Sequence, residues 1–198
     1  EMPAKYRILT IDGGGIRGIF PARIITHIEK MLQRIYRDPN YRIADYFDFF
    51  AGTSTGGILV CLYLCSDGDV PTYSADDVLD FYFERGGDIF RIPVYHRIKS
   101  AGGIIDEKYP VDGLEHALGD YFGDRRLSGL LKPTVITCYD IRRRQAFFFK
   151  QHKAKSFKGR DFFLRDVTRA ATAAPTYFEL ANIRSGTHIP YALIDGGI

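Results

Sequence analysis

The chain has 198 residues, 45% of them hydrophobic and 26% charged, with 27 Lys and Arg against 24 Asp and Glu for a net charge of +3. That apolar content excludes a disordered chain, three cysteines are too few for a disulfide scaffold, and so balanced a charge gives no reason to expect a nucleic acid polymer as partner. A chain of this length buries about 70% of the surface its unfolded form exposes, enough for one globular domain with its own core.

Residues 6–11 (YRILTI) form a short β-prone run that ends in Asp12-Gly13-Gly14-Gly15, and a helix follows over 21–36 with Pro21 in its first turn. Asp38-Pro39-Asn40 marks a turn. Residues 46–51 (YFDFFA) read as a second apolar strand, Gly52 to Gly57 as a tight turn, and 58–64 as a buried helix. The order strand, glycine-rich turn, helix therefore occurs twice.

Beyond a polar loop near 67–73, Ser74 is placed to cap a helix over 75–83, with Asp76 and Asp77 favouring its first turn. Residues 86–110 are poorly periodic and read as a lid-like excursion. A helix over 111–121 leads to strands at 133–139 and 145–150. A helix over 162–174 is stopped by Pro175, and 190–194 is a last strand. This alternation predicts an α/β domain around a largely parallel, buried sheet.

Cys61, Cys65 and Cys138 are odd in number and lack metal-type spacing, which fits a reducing, cytoplasmic protein, and Cys61 and Cys65, four apart on a predicted helix, read as two buried thiols on one apolar face. No signal-peptide pattern opens the chain and no stretch approaches about 18 uninterrupted apolar residues, which gives no expectation of export or a membrane span. The basic charge is local. Residues 142–169 carry ten basic side chains against Asp161 and Asp166, a segment that could meet an anionic membrane. Phe147, Phe148 and Phe149 could insert there, but alternate residues of a strand are commonly buried, which favours Phe147 and Phe149 as core.

Gly52-Thr53-Ser54-Thr55-Gly56 matches the G-x-S-x-G elbow in its proper context, with an apolar strand before it and an apolar helix after. The turn is too tight for larger flanking residues, and the helix N-terminus favours a developing oxyanion. Ser54 is the candidate nucleophile; the plainer reading is a helix-capping serine. Gly13 to Gly18 also fits the dinucleotide pattern G-x-G-x-x-G. That reading wants an acid at a strand end about 20 residues on, whereas Asp38 sits in a turn after a helix. Consecutive glycine N–H groups serve equally as an anion-binding nest, with Arg17 beside it.

A serine nucleophile needs a base, yet none of His27, His96, His116, His152 and His188 falls in the order expected for a histidine triad. Asp12 and Asp195, each followed by two glycines, are the carboxylate candidates. Residue chemistry does not choose between them.

The ordered motifs Asp12-Gly-Gly-Gly-Ile-Arg-Gly18, Gly52-Thr-Ser-Thr-Gly56, Arg169-Ala-Ala-Thr-Ala-Ala-Pro-Thr-Tyr-Phe178 and Asp195-Gly-Gly197 together resemble the patatin-like phospholipase family. The resemblance implies a three-layer α/β/α fold and a Ser-Asp dyad without histidine. It makes Ser54 the nucleophile and Asp195 the general base, and it assigns oxyanion N–H groups to Gly13, Gly14, Gly15 and Thr55. Arg17, Gly18, Gly52, Gly56, Gly196 and Gly197 become supporting residues, and Asp12 a structural residue bonding its own loop. The implied reaction is hydrolysis of acyl esters in phospholipids or related lipids through an acyl-enzyme, with peripheral membrane contact and without metal or cofactor. Family domains extend past the last motif, so the domain spanning 1–198 is expected to be cut short at its C-terminal end. A non-catalytic lipid or anion sensor using the same loops is the alternative, and nucleotide binding ranks below both.

Overall fold

The computed structural model describes residues 5–90, 111–175 and 177–197. Six strands form one mixed sheet: β1 (Ile8–Ile11), β2 (Phe49–Gly52), β3 (Thr134–Asp140), β4 (Gln145–Lys150), β5 (Ala181–Arg184) and β6 (Pro190–Asp195). β1, β2 and β3 run parallel, while β4 and β6 are antiparallel to β3 and β5 is antiparallel to β6. Flanking helices are α1 (Ile19–Tyr36), α2 (Ile43–Tyr46), α3 (Thr55–Leu64), α4 (Ala75–Phe90), α5 (Val111–Phe122), α6 (Gln151–Ser156) and α7 (Leu164–Ala171). The expected α/β class is met.

The register of β3 determines where the site lies. A strand has two edges, and β4 occupies one of them along Val135–Asp140. β2 and β6 must therefore share the other. β2 pairs with Thr134 to Ile136 and runs with β3, while β6 pairs with Cys138 to Asp140 and runs against it. The C-terminal ends of β2 and β6 thus meet head to head across Thr137.

Helix α3 starts at the end of β2 and packs on β1, β2 and α7, with all ten of its residues buried. A helix apolar all round belongs inside a fold, and Cys61 and Cys65 sit there as free, buried thiols, like Cys138 on β3. Helix α1 buries Ala22, Ile25 and Leu32, together with Glu29. The Glu29 carboxylate accepts the N–H groups of Ile43 (2.9 Å) and Ala75 (2.8 Å), so it ties the starts of α2 and α4 to α1. Burial pushes its pKa up, against those two hydrogen bonds.

Ser74 caps α4 as expected. Its hydroxyl accepts the Asp77 N–H at 3.2 Å and the Asp77 carboxylate accepts the Ser74 N–H at 2.7 Å, a reciprocal pair. The helix then continues through Gly86 and Gly87 to Phe90, so residues 86–90 belong to α4 rather than to a lid. The remainder of the expected lid, 91–110, lies outside the described residues. The helix expected over 162–174 is shorter. It ends at Ala171, where Thr172 leaves the helical region (φ −99, ψ 5) and the N–H groups of Ala173 and Ala174 turn to the Ala170 and Thr172 carbonyls; the Ala173 carbonyl then accepts the N–H of Asp195 (3.1 Å).

Phe147 and Phe149 are buried in an aromatic cluster with Phe162 and Tyr191, ring centroids 4.9 to 6.2 Å apart, while Phe148 is exposed. The basic segment does not form one face. Arg143 pairs with Asp140 (2.6 Å), Arg165 with Asp124 (2.8 Å), and Arg169 is buried against Glu115 (3.2 Å) and the Glu179 carbonyl (2.9 Å).

Candidate active site

Ser54 lies between β2 and α3 with φ 53 and ψ −131. A side-chain-bearing residue seldom adopts this conformation, and it is the strained turn an elbow requires. Glycine neighbours make the turn possible. A methyl at Gly56 would overlap the Ile11 carbonyl, and one at Gly52 would come within 2.7 Å of the Gly56 carbonyl oxygen and of the Gly57 backbone. Both positions are thus fixed by close backbone approach, and neither lines the cavity.

The loop after β1 lies against this elbow. A Cβ at Gly13 would overlap that of Ser54, so the absence of a side chain is what lets the two backbones touch. Among the described residues the N–H groups of Gly13 and Gly14 donate to no other backbone group, and the Gly14 carbonyl is occupied by the Arg17 N–H (3.1 Å). Gly15 opens a 3-10 turn and Thr55 opens α3, where first-turn N–H groups lack intrahelical acceptors. Gly18 has a different task. It gives room to Tyr82, whose hydroxyl a methyl at Gly18 would overlap.

Asp195 arrives from the opposite end of β3. Its carboxylate accepts the Gly197 N–H at 2.8 Å, and the residue is 3% exposed. Gly196 packs on β3, where a Cβ would come 2.6 Å from the Thr137 carbonyl carbon. The Thr137 hydroxyl donates to that of Thr53 at 3.0 Å, so one side chain of β3 ties the serine turn at the point where the aspartate turn also rests. Burial raises the Asp195 pKa above its ordinary value, opposed by the Ser54 hydroxyl and by the Gly197 N–H. Ser54 and Asp195 line the same cavity.

A cavity of about 630 Å³ opens over these groups, lined by Gly13, Gly14, Gly15, Arg17, Ser54, Thr55, Asp195 and Gly197 among others. Thr172, Ala174, Tyr177 and Phe178 line it too. They belong to the motif beginning at Arg169, whose resemblance was visible in sequence without any sign that its far end walls the site. Asp12 also lines the cavity, but its carboxylate is exposed and makes no hydrogen bond or ion pair among the described residues, so the expected bonding of its own loop is not found. His27, His116, His152 and His188 are exposed and line no part of the cavity; His96 lies outside the described residues. Asp38 sits past the C-terminus of α1, bonded to the Gln33 carbonyl, away from any strand end. Among the described residues no group of three or more His, Cys, Asp or Glu could hold a metal ion.

A family model described as Patatin-like phospholipase matches residues 9–198. The chain belongs to the patatin-like phospholipase family. It is 36% identical to Patatin-like protein 2 of Oryza sativa subsp. indica over 207 residues, covering 100% of this chain and 51% of that protein. It is 33% identical to Patatin-17 of Solanum cardiophyllum over 203 residues, covering 100% of this chain and 50% of the relative. A third relative, 31% identical with 96% and 50% covered, is named Probable inactive patatin-3-Kuras 1, from Solanum tuberosum. The chain spans about half the length of these curated patatin relatives. In family terms, the glycine loop, the serine turn and the Asp-Gly-Gly turn are three separate segments that the head-to-head strands bring around one cavity.

Proposed function

We propose that this domain is a serine lipid acyl hydrolase that cleaves ester bonds of phospholipids or related lipids, with Ser54 as nucleophile and Asp195 as general base. The observation that carries the reading is the strained Ser54 sharing one cavity with the buried carboxylate of Asp195 and with a glycine loop whose Gly13 and Gly14 N–H groups bond no other backbone group among the described residues. Asp195 takes the hydroxyl proton as Ser54 Oγ bonds to the ester carbonyl carbon. The carbonyl oxygen takes the negative charge and is met by N–H groups from Gly13, Gly14, Gly15 and Thr55. As the tetrahedral species collapses, the bond to the alcohol oxygen breaks and Asp195 returns the proton to it. Water then attacks the acyl-enzyme by the same route, releasing fatty acid and restoring Ser54.

A carboxylate at its ordinary pKa is a feeble base near neutral pH; burial of Asp195 moves it in the useful direction. Arg17 at the rim adds positive charge near the developing anion. In this reading the substrate is reached by peripheral contact with a membrane; no helix among the described residues is long and apolar enough to cross one. Three free buried cysteines fit the reducing cytoplasmic setting proposed with it.

Family membership alone does not establish turnover, because one relative is named as inactive. The deciding experiment is covalent labelling by a fluorophosphonate together with mass-spectrometric analysis of products from a mixed lipid extract. Wild type should label and release fatty acid, and Ser54→Ala should do neither. Lipolysis that persists in Ser54→Ala would sink the mechanism. Binding of lipid that survives this substitution, with no product from wild type, would replace it with a non-catalytic sensor.

A further inference from the structure

Helix α1 is apolar on two sides. Its inward face carries Ala22, Ile25 and Leu32 into the core, yet Phe20, Ile24, Met31 and Ile35 are exposed at 67%, 61%, 46% and 67%. Steps of four, seven and four residues at about 100° each keep all four within an arc of roughly 60°. They form a continuous stripe along the outside of the helix. A surface helix normally turns polar residues outward, so large side chains aligned in this way mark a contact surface.

The charge around the stripe identifies what it fits. Arg23 and Arg34 flank it on one side, His27 lies between them, and Arg17 stands just before the helix. Lys30 is engaged by Asp76 at 2.8 Å. The one acid on the helix, Glu29, points inward and is consumed by the N–H groups of Ile43 and Ala75. The exposed side of α1 is therefore cationic and apolar together, the pattern of a helix lying in the plane of an anionic bilayer. A second copy packed on the same stripe about a two-fold axis would bring Arg23 of one chain toward Arg34 of the other if antiparallel, or each arginine toward its own copy if parallel, and either arrangement repels.

The stripe is also continuous with the site. Ile16, exposed at 46%, and Arg17 line the cavity and lead directly into the first turn of α1. We infer that α1 is the membrane-docking surface of this domain, laying Phe20, Ile24, Met31 and Ile35 into the headgroup boundary of an anionic membrane and holding the cavity mouth at the lipid surface. The inference rests on the lipid hydrolase reading, and it moves the contact away from the basic segment 142–169, whose arginines are partly turned to internal partners.

The test is flotation of the full chain, in the Ser54→Ala background so that turnover does not alter the vesicles. Vesicles of phosphatidylcholine alone are compared with vesicles that also contain phosphatidylserine. Binding should require phosphatidylserine, fall roughly tenfold or more with Phe20→Ser, Ile24→Ser and Ile35→Ser combined, and fall roughly fivefold for each of Arg23→Gln and Arg34→Gln. Lys153→Gln with Lys155→Gln, exposed in the basic segment 142–169, should change it little. Thermal melts at the wild-type midpoint would show that the exposed substitutions leave the fold intact. Full binding by the apolar triple variant overturns the inference, as does loss confined to the Lys153 and Lys155 variant. So does a concentration-dependent dimer, by sedimentation, that the triple variant dissolves without affecting flotation. Hydrolysis of a soluble short-chain ester by wild type separates the two readings. Turnover without vesicle binding removes the docking surface alone, and docking without turnover removes the catalytic reading alone.

Discussion

Two turns of the same sequence, Asp12-Gly13-Gly14 and Asp195-Gly196-Gly197, line the same cavity and have opposite environments. Asp12 follows β1, which among the described residues pairs with β2 alone, and its carboxylate stands in solvent without a partner among them. Asp195 ends β6, which shares an edge of β3 with β2, and it is buried, bonded to Gly197, and raised in pKa. The first glycine of each turn excludes a side chain for its own reason: Gly13 touches Ser54, and Gly196 touches Thr137. Local sequence makes the turns alike; position in the sheet decides which carboxylate is buried and which stands in solvent.

The largest effect that would break this contrast is on the carboxylates themselves. Asp195→Asn should lower kcat by about 10²–10⁴-fold, the range of general-base contributions, while Asp12→Asn should cost less than about tenfold because no transferred proton depends on it. Comparable losses in steady-state hydrolysis of a soluble ester would show that the two aspartates are not distinguished in this way. The stability of Asp195→Asn sharpens the point. A carboxylate whose pKa is raised by folding contributes its stabilisation below the unfolded value and loses it as pH rises through the folded one. At neutral pH the ionised Asp195 is therefore a burden on the fold, and Asp195→Asn should melt no lower than wild type.

The next effect is on backbone contact. Gly196→Ala places a methyl 2.6 Å from the Thr137 carbonyl carbon, which cannot yield, whereas at Gly14 the nearest atom is the Arg17 Cβ at 3.5 Å. Gly196→Ala should lower stability by about 1–3 kcal/mol in urea unfolding and depress kcat, with Gly14→Ala much milder in stability. The pH profile is the third measurement. Asp195 must be ionised to accept the Ser54 proton, so kcat/KM should fall on the acid side through a pKa above the ordinary aspartate value of 3.8. An acid limb at or below that value would contradict the burial argument.

How far the sequence foretold these features depends on how local each one is. The strand Gln145–Lys150 and the cap at Ser74 match expectation residue for residue, because each is written in adjacent side chains. The four-residue strand β5 was not anticipated: Ala181 and Asn182 have little strand preference, and only pairing with β6 makes them a strand. Helix α6 was hidden inside a basic run and is anchored by Gln151, whose side chain donates to the Leu130 carbonyl at 2.8 Å. In the site, Ser54 was legible from its elbow context, but the preference for Asp195 over Asp12 came from family resemblance. The physical reason, two strands ending head to head on one edge of β3, is a long-range register that no short motif encodes. Tyr177 and Phe178 were likewise invisible as cavity walls: their N–H groups turn onto the Ala174 carbonyl, and the neighbouring Ala173 carbonyl is tied to Asp195, distant in sequence.

The smallest predicted effect probes that meeting point directly. Thr137 stands where β2 and β6 converge, and its hydroxyl bond to Thr53 is a neutral hydrogen bond in a half-buried place. Thr137→Val keeps the shape that Gly196 packs on and removes only the tie to the serine turn. Such a bond contributes about 0.5–1.5 kcal/mol, so the melting midpoint should drop slightly. The turn that it holds carries Ser54 at a strained φ, so kcat should fall a few-fold while KM stays put, because the cavity walls that hold substrate are unchanged. The side on which the loss appears is informative. A fall in kcat with a parallel fall in the rate of fluorophosphonate labelling places the effect on alignment of Ser54 with Asp195, whereas a change in KM alone would mean that Thr137 shapes the cavity and that the two strand ends hold their relative position without it.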